Sequence, residues 1–152
     1  MTQTALSINL NKIALIRNSR DTDYPDITDH AQRCIDAGVD GITVHPRPDQ
    51  RHIRASDCYQ LADMLTLEFN IEGNPFAAAM KSDRPQVADY PGFMNIVRDI
   101  KPAQCTLVPD NNEQLTSDHG FDLRQSADAL APIIEQLKAE GIRVSLFMDP
   151  DP

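Results

Sequence analysis

The chain has no tryptophan, and aromatic residues make up only 5% of it. Its core must therefore be assembled mainly from Ile, Leu, Val, Ala and Met. Cysteine is scarce too: Cys34, Cys58 and Cys105 are odd in number and show no CxxC spacing. That excludes a disulfide or zinc framework and reads as small buried hydrophobes in a reducing compartment. Basic residues are outnumbered, 14 Lys and Arg against 23 Asp and Glu, leaving a net charge of −9. Nucleic acid and anionic membrane are poor general partners for such a chain. No run approaches the 18 apolar residues of a membrane span, and Met1 to Ser7 carry neither a basic nor a long apolar leader region. A cytoplasmic location is the expectation. No GxGxxG follows the first apolar run, and no Walker A loop is present, which disfavours a nucleotide-binding sheet.

What is there is ordinary globular usage, 41% hydrophobic and 24% charged over 152 residues, enough for one domain over 1–152. Strand-like and helix-like segments alternate with little between them. Ala5–Leu10, Gly41–His45, Phe69–Glu72, Cys105–Pro109 and Val144–Met148 read as strands. Helices are expected from Asp26 to Gly38, from a Ser56 cap through Leu65, around Phe93–Ile100, and from Leu123 to Gly141. Pro132 should kink or split the last of these. Residues 80 to 92 are rich in Pro and Asp and read as a surface excursion. The strands look like apolar runs without clean alternation, the form of a parallel sheet covered on both faces. The class is α/β, and both an open doubly wound sheet and a (βα)8 TIM barrel fit.

The polar residues are placed informatively. Asn9 and Asn11, His45, Glu72 and Asp149 end four of the five apolar runs. In both architectures the carboxyl ends of parallel strands form the ligand site. Seven of the 14 basic residues (Lys12, Arg17, Arg20, Arg33, Arg47, Arg51 and Arg54) fall between residues 12 and 54, with His45 and His52 among them. A solvated charged surface and a local anion site both explain that island. An imidazole titrating near neutrality beside fixed positive charge suits proton transfer on an anionic substrate. Glu72, at the end of a buried strand, is expected to have a raised pKa. A metal site built from His45, His52, Glu72 and Asp149 competes, but it lacks HxH or HExxH spacing and the arginines would repel a cation. The polar loop between Pro109 and Asp122 follows a strand and reads as a lid or binding segment. Within it Thr116 and Ser117 can donate hydrogen bonds, and Gly120 is a candidate hinge.

These residues carry a resemblance. The stretches Ile8–Arg20, Asp40–Arg47, Arg51–Ile53, Phe69–Glu72, Leu107–Pro109, Leu115–Gly120 and Val144–Asp149 resemble, in order, the pyridoxine 5'-phosphate synthase family of vitamin B6 biosynthesis. The resemblance implies a TIM barrel, of which about the first five strands and four helices are present, since a full barrel needs about 250 residues. It implies condensation of 1-deoxy-D-xylulose 5-phosphate with 3-amino-2-oxopropyl phosphate to pyridoxine 5'-phosphate, phosphate and water. By resemblance His45 and Glu72 are the proton-transfer groups. Asn9 and Arg20 match positions holding the aminoketone phosphate. Asn11, Lys12, Arg47, His52 and Thr116 match positions holding the deoxyxylulose phosphate. The pair Asn11-Lys12 stands where the family's best-known form has Asp-His, and residues 81–92 look like an insertion. No cofactor and no metal are expected. A homo-octamer is implied, with Arg20 the candidate for crossing between subunits. A non-catalytic phosphate-binding module and another phosphosugar barrel enzyme are the alternatives.

Overall fold

The computed structural model describes residues 4–20 and 22–150, so the start of the N-terminal stretch read above, Met1 to Gln3, lies outside the described residues. Five strands, β1 (Ser7–Asn9), β2 (Gly41–Val44), β3 (Glu68–Gly73), β4 (Gln104–Leu107) and β5 (Arg143–Leu146), form one sheet. Every pairing is parallel and every strand lies beside its neighbour in the chain, in the order β1-β2-β3-β4-β5. Doubly wound sheets reverse their strand order at a switch point. This sheet does not.

Five helices fill the connections: α1 (Asn11–Asn18), α2 (Ile27–Asp36), α3 (Ala55–Met64), α4 (Phe93–Ile100) and α5 (Leu123–Ala139). The expectation of four is corrected, because α1 carries little sequence signal. It buries only Ala14, Arg17 and Asn18 and leaves Leu15 and Ile16 exposed, so its apolar residues do not follow a helical face. Its N-terminus has no side-chain cap. The expected Ser56 cap is also corrected. Helix α3 begins at Ala55, and the Asp57 carboxylate accepts the Arg54 backbone N–H at 2.7 Å. Pro132 does not split α5, which runs 17 residues through it. The carbonyl that the missing N–H would have bonded belongs to Asp128, on the exposed side of the helix where water can take its place. Gly38 (φ 90°) and Gly141 (φ 82°) follow α2 and α5 in the left-handed region that helix ends favour.

The strands do alternate once register is known. Ile8, Ile42, Val44, Phe69, Ile71, Cys105, Leu107 and Val144 point to one face and join the core built with Ala31, Leu61, Ile96, Val97 and Leu137 of the helices. Each such buried branched or aromatic side chain contributes about 1.5–3 kcal/mol. The opposite face is polar, so the strands alternate where apolar runs without clean alternation were expected, and Thr43, Asn70 and Thr106 on it are buried. Ser7 and Thr43 share a hydroxyl hydrogen bond of 2.8 Å, Asn70 donates to Thr43 at 3.3 Å, and Thr106 donates to Asn70 at 3.0 Å. Polar residues survive burial there because they satisfy one another across strands. The 80–92 segment runs over the surface, as expected, and is pinned where it leaves and returns. Met80 and Tyr90 exchange backbone hydrogen bonds, and the buried Tyr90 hydroxyl donates to the Pro46 carbonyl at 3.2 Å, under the β2 exit.

Candidate active site

The strand exits converge on one cavity of about 420 Å3. Asn9 ends β1, His45 follows β2 directly, and Glu72 is the penultimate residue of β3. All three line the cavity, together with Asn11 and Lys12 at the start of α1, Arg47 and His52 from the β2 exit loop, and Thr116 from the 110–120 loop. Of the residues expected at the site, Arg20 is not brought there. It sits exposed just past α1. Asp149 is not brought there either: it is exposed and lines a separate cavity with His119 and Phe121.

The asparagines act as struts. Asn9 Oδ1 accepts the Asn11 N–H at 2.8 Å, and Asn9 Nδ2 reaches Glu72 Oε2 at 3.5 Å. Asn11 Oδ1 accepts the His45 backbone N–H at 2.9 Å, so this side chain fixes the height of the imidazole. Behind them, Arg17 makes a bidentate pair with Asp57 at 2.7 and 2.9 Å, both side chains nearly fully buried. Arg17 and Asn18 also donate to the His52 carbonyl at 3.1 and 2.7 Å, tying the basic loop to α1 and α3.

Burial sets the proton-transfer chemistry. His45 is pushed down to about 4, first by desolvation, with Asp110 opposing the shift and His52, Arg47 and Arg51 adding to it. The ring is neutral at pH 7 and able to take a proton. Glu72 is pushed up to about 7, first by burial and then by the negative charge of Asp110. The carboxyl is therefore part protonated at neutral pH, as a group that donates and accepts requires. His52 is also pushed down to about 4, by burial and then Arg47, and its Nδ1 accepts the Ile53 N–H at 2.9 Å. A neutral ring with Nδ1 as acceptor carries its hydrogen on Nε2, making it a donor to an anion.

The arginines are held by the loop after β4. Arg47 donates to the Gln114 carbonyl and to the Asp110 carboxylate. Arg51 donates to Gln114 O at 2.9 Å, Asn112 O at 2.7 Å and Asp49 at 2.6 Å. Sequence reasoning missed Asp110, which is buried beside His45 and Arg47. The signal was available: the rule of polar residues after apolar strands applies to the run ending at Pro109 one residue further on. Gly120, the candidate hinge, packs on the β5 exit. A Cβ there would lie 2.4 Å from backbone atoms of Met148 and Asp149, so glycine is required by close packing of the loop on the β5 exit. Among the described residues, no group of three or more His, Cys, Asp or Glu is disposed to hold a metal ion. No helix among them is long and apolar enough to cross a membrane.

Comparison with known proteins identifies the family. The family model of pyridoxal phosphate biosynthesis protein PdxJ matches residues 6–152. A pyridoxine 5'-phosphate synthase of Xanthomonas campestris pv. campestris (strain B100) is 54% identical over 149 residues, covering 96% of this chain and 56% of the relative. One from Xanthomonas oryzae pv. oryzae (strain PXO99A) gives the same identity and coverage, and one from Xylella fastidiosa (strain M23) is 51% identical over 150 residues, 97% of this chain and 55% of its own. The chain thus spans about half the length of these relatives. With a match that runs from β1 to beyond β5, the chain belongs to the PdxJ family of pyridoxal phosphate biosynthesis proteins.

Proposed function

We propose that this chain supplies the first part of the active site of a pyridoxine 5'-phosphate synthase, and that its sheet is five strands of a (βα)8 barrel within a single domain. The observation that carries the functional reading is one cavity holding a neutral imidazole, a carboxyl titrating near neutrality and a cluster of cationic and neutral donors. Joining an aminoketone to a ketone through an imine needs repeated proton removal and return at carbon, nitrogen and oxygen. His45 takes protons, Glu72 gives and takes them, and Asn9 steadies the Glu72 carboxyl. Arg47, Lys12, His52 and Thr116 hold the deoxyxylulose phosphate with fixed charge and oriented donors, and Asn11 lines the same cavity. Sequential parallel order, all-polar strand faces on one side and helices packed on the other support the barrel.

Calorimetry with 1-deoxy-D-xylulose 5-phosphate tests the phosphate clamp. Hydrogen bonds to charged groups are worth about 1.5–3 kcal/mol, so Arg47→Ala should weaken binding about tenfold or more. Unchanged affinity would remove the clamp from the account. The implied octamer, the Arg20 contact with the aminoketone phosphate and with a neighbouring subunit, and a cytoplasmic location belong to the same proposal. Arg20 lies on the exposed surface, as a residue reaching another subunit must.

A further inference from the structure

We propose that Asp110 is a positioning residue of this site, its buried carboxylate anchoring Arg47 and Ser117 while serving as counter-ion to His45. The inference rests on the synthase reading, in which His45 is the group that takes the proton.

Asp110 lies three residues beyond β4 and is only 6% exposed. Its Oδ2 accepts the Ser117 hydroxyl at 2.6 Å and the Arg47 guanidinium, and stands 3.8 Å from His45 Nε2. Its backbone carbonyl accepts Asn74 Nδ2 at 2.7 Å. The carboxylate thus links the β2 exit to the 110–120 loop, and the Asp110 backbone carbonyl adds the β3 exit. The other carboxylate oxygen, Oδ1, is buried and receives no donor. The carboxylate therefore keeps unused acceptor capacity in a buried setting.

His45 faces the same carboxylate through Oδ2. At 3.8 Å the two groups are within ion-pair range but beyond a hydrogen bond. When His45 removes a proton from substrate, its ring becomes an imidazolium with N–H on both nitrogens. The Nε2–H then closes onto the Asp110 carboxylate, which lies where the new positive charge needs an anion. The proton stays on His45 and returns to the reacting molecule from there, and Asp110 is not itself protonated. A carboxylate behind a histidine base also favours hydrogen on the near nitrogen, leaving the Nδ1 lone pair as the basic site. Arg47 benefits in parallel, since the same carboxylate holds its guanidinium at the cavity wall.

The charged and titratable groups that face His45 are His52, Arg47 and Arg51 from its own exit loop and Asp110 from beyond β4, while Glu72 and Lys12 share the cavity. Only the carboxylates among these favour the protonated ring. Removing the Asp110 charge must therefore make His45 harder to protonate, and must make Glu72 easier to ionise.

The test uses Asp110→Asn, Asp110→Ser and Asp110→Glu in the protein at its full genetic length, so that the outcome does not hang on one neutral variant folding. Nuclear magnetic resonance reads the His45 ring and the Glu72 carboxyl against pH, and turnover is followed across the same range. In the neutral variants both midpoints should fall by about half a pH unit or more, and kcat should fall about tenfold or more, as for a weakened general base. The KM for 1-deoxy-D-xylulose 5-phosphate should rise less than kcat falls, because loss of the Arg47 anchor weakens the clamp while the charge removed opposes the phosphate. Asp110→Glu should hold both midpoints near their original values and keep more turnover than the neutral forms. Unmoved midpoints, or a raised KM at unchanged kcat, would overturn the role. Absence of pyridoxine 5'-phosphate formation by the unsubstituted protein would instead sink the synthase reading, and the midpoints would still decide whether Asp110 faces His45.

Discussion

Replacing Glu72 by Gln should make the protein more stable at alkaline pH while removing its activity. Glu72 is pushed from its ordinary value of 4.5 to about 7, mainly because burial disfavours its charge. A folded-state value above the unfolded one means the native protein holds its proton more tightly than the unfolded chain. Stability is then unpenalised below about 4.5, declines as pH rises through the interval, and carries the full penalty above about 7. The gap corresponds to about 3 kcal/mol at 1.36 kcal/mol per pKa unit. The amide of Gln has nearly the same shape and nothing to ionise. Urea unfolding at a series of pH values would read the difference between the two proteins. Linkage gives an advantage for Glu72→Gln of under about 1 kcal/mol at pH 5 and about 3 kcal/mol at pH 8. A difference that stays constant between those values would refute the reasoning, since it would show that Glu72 ionises in the folded protein as it does in water.

The histidines act in the opposite range. His45 and His52 both fall to about 4 on burial, so the unfolded chain takes up their protons first as pH drops below 6.5. Thermal unfolding should show stability lost between pH 6.5 and 4, and His52→Gln should flatten that slope. Breaking the buried Arg17–Asp57 pair by Asp57→Ala should cost about 3–5 kcal/mol in denaturant unfolding, because it strands a buried guanidinium. A Cβ on Gly73 would meet the Phe93 ring at 2.3 Å, so Gly73→Ala should lower stability by about 1–3 kcal/mol, read from the unfolding midpoint.

The fold and the site were legible to different degrees, for physical reasons. The order of βα units showed because parallel strands and their covering helices demand long apolar segments in alternation. Helix α1 did not show, since Arg17 and Asn18 do the burying that apolar residues usually do, while Ile16 is left in solvent. The polar face of the sheet was hidden because Thr43, Asn70 and Thr106 are satisfied by one another, a property of register that no single strand displays. His45 and Glu72 were readable as strand-end residues, since that position alone points them into the cavity. The partners of Asp110 and the loop carbonyls that hold Arg47 and Arg51 were not, because they depend on how the 110–120 loop folds back over the β2 exit.

The most direct measurement supplies the protein at its full genetic length with 1-deoxy-D-xylulose 5-phosphate and 3-amino-2-oxopropyl phosphate and follows formation of pyridoxine 5'-phosphate. The unsubstituted protein should form the product with release of phosphate, and His45→Ala should lower kcat by about a hundredfold or more, as loss of a general base does. Product formed at an unchanged rate by His45→Ala would contradict the central claim that this buried neutral imidazole moves the proton.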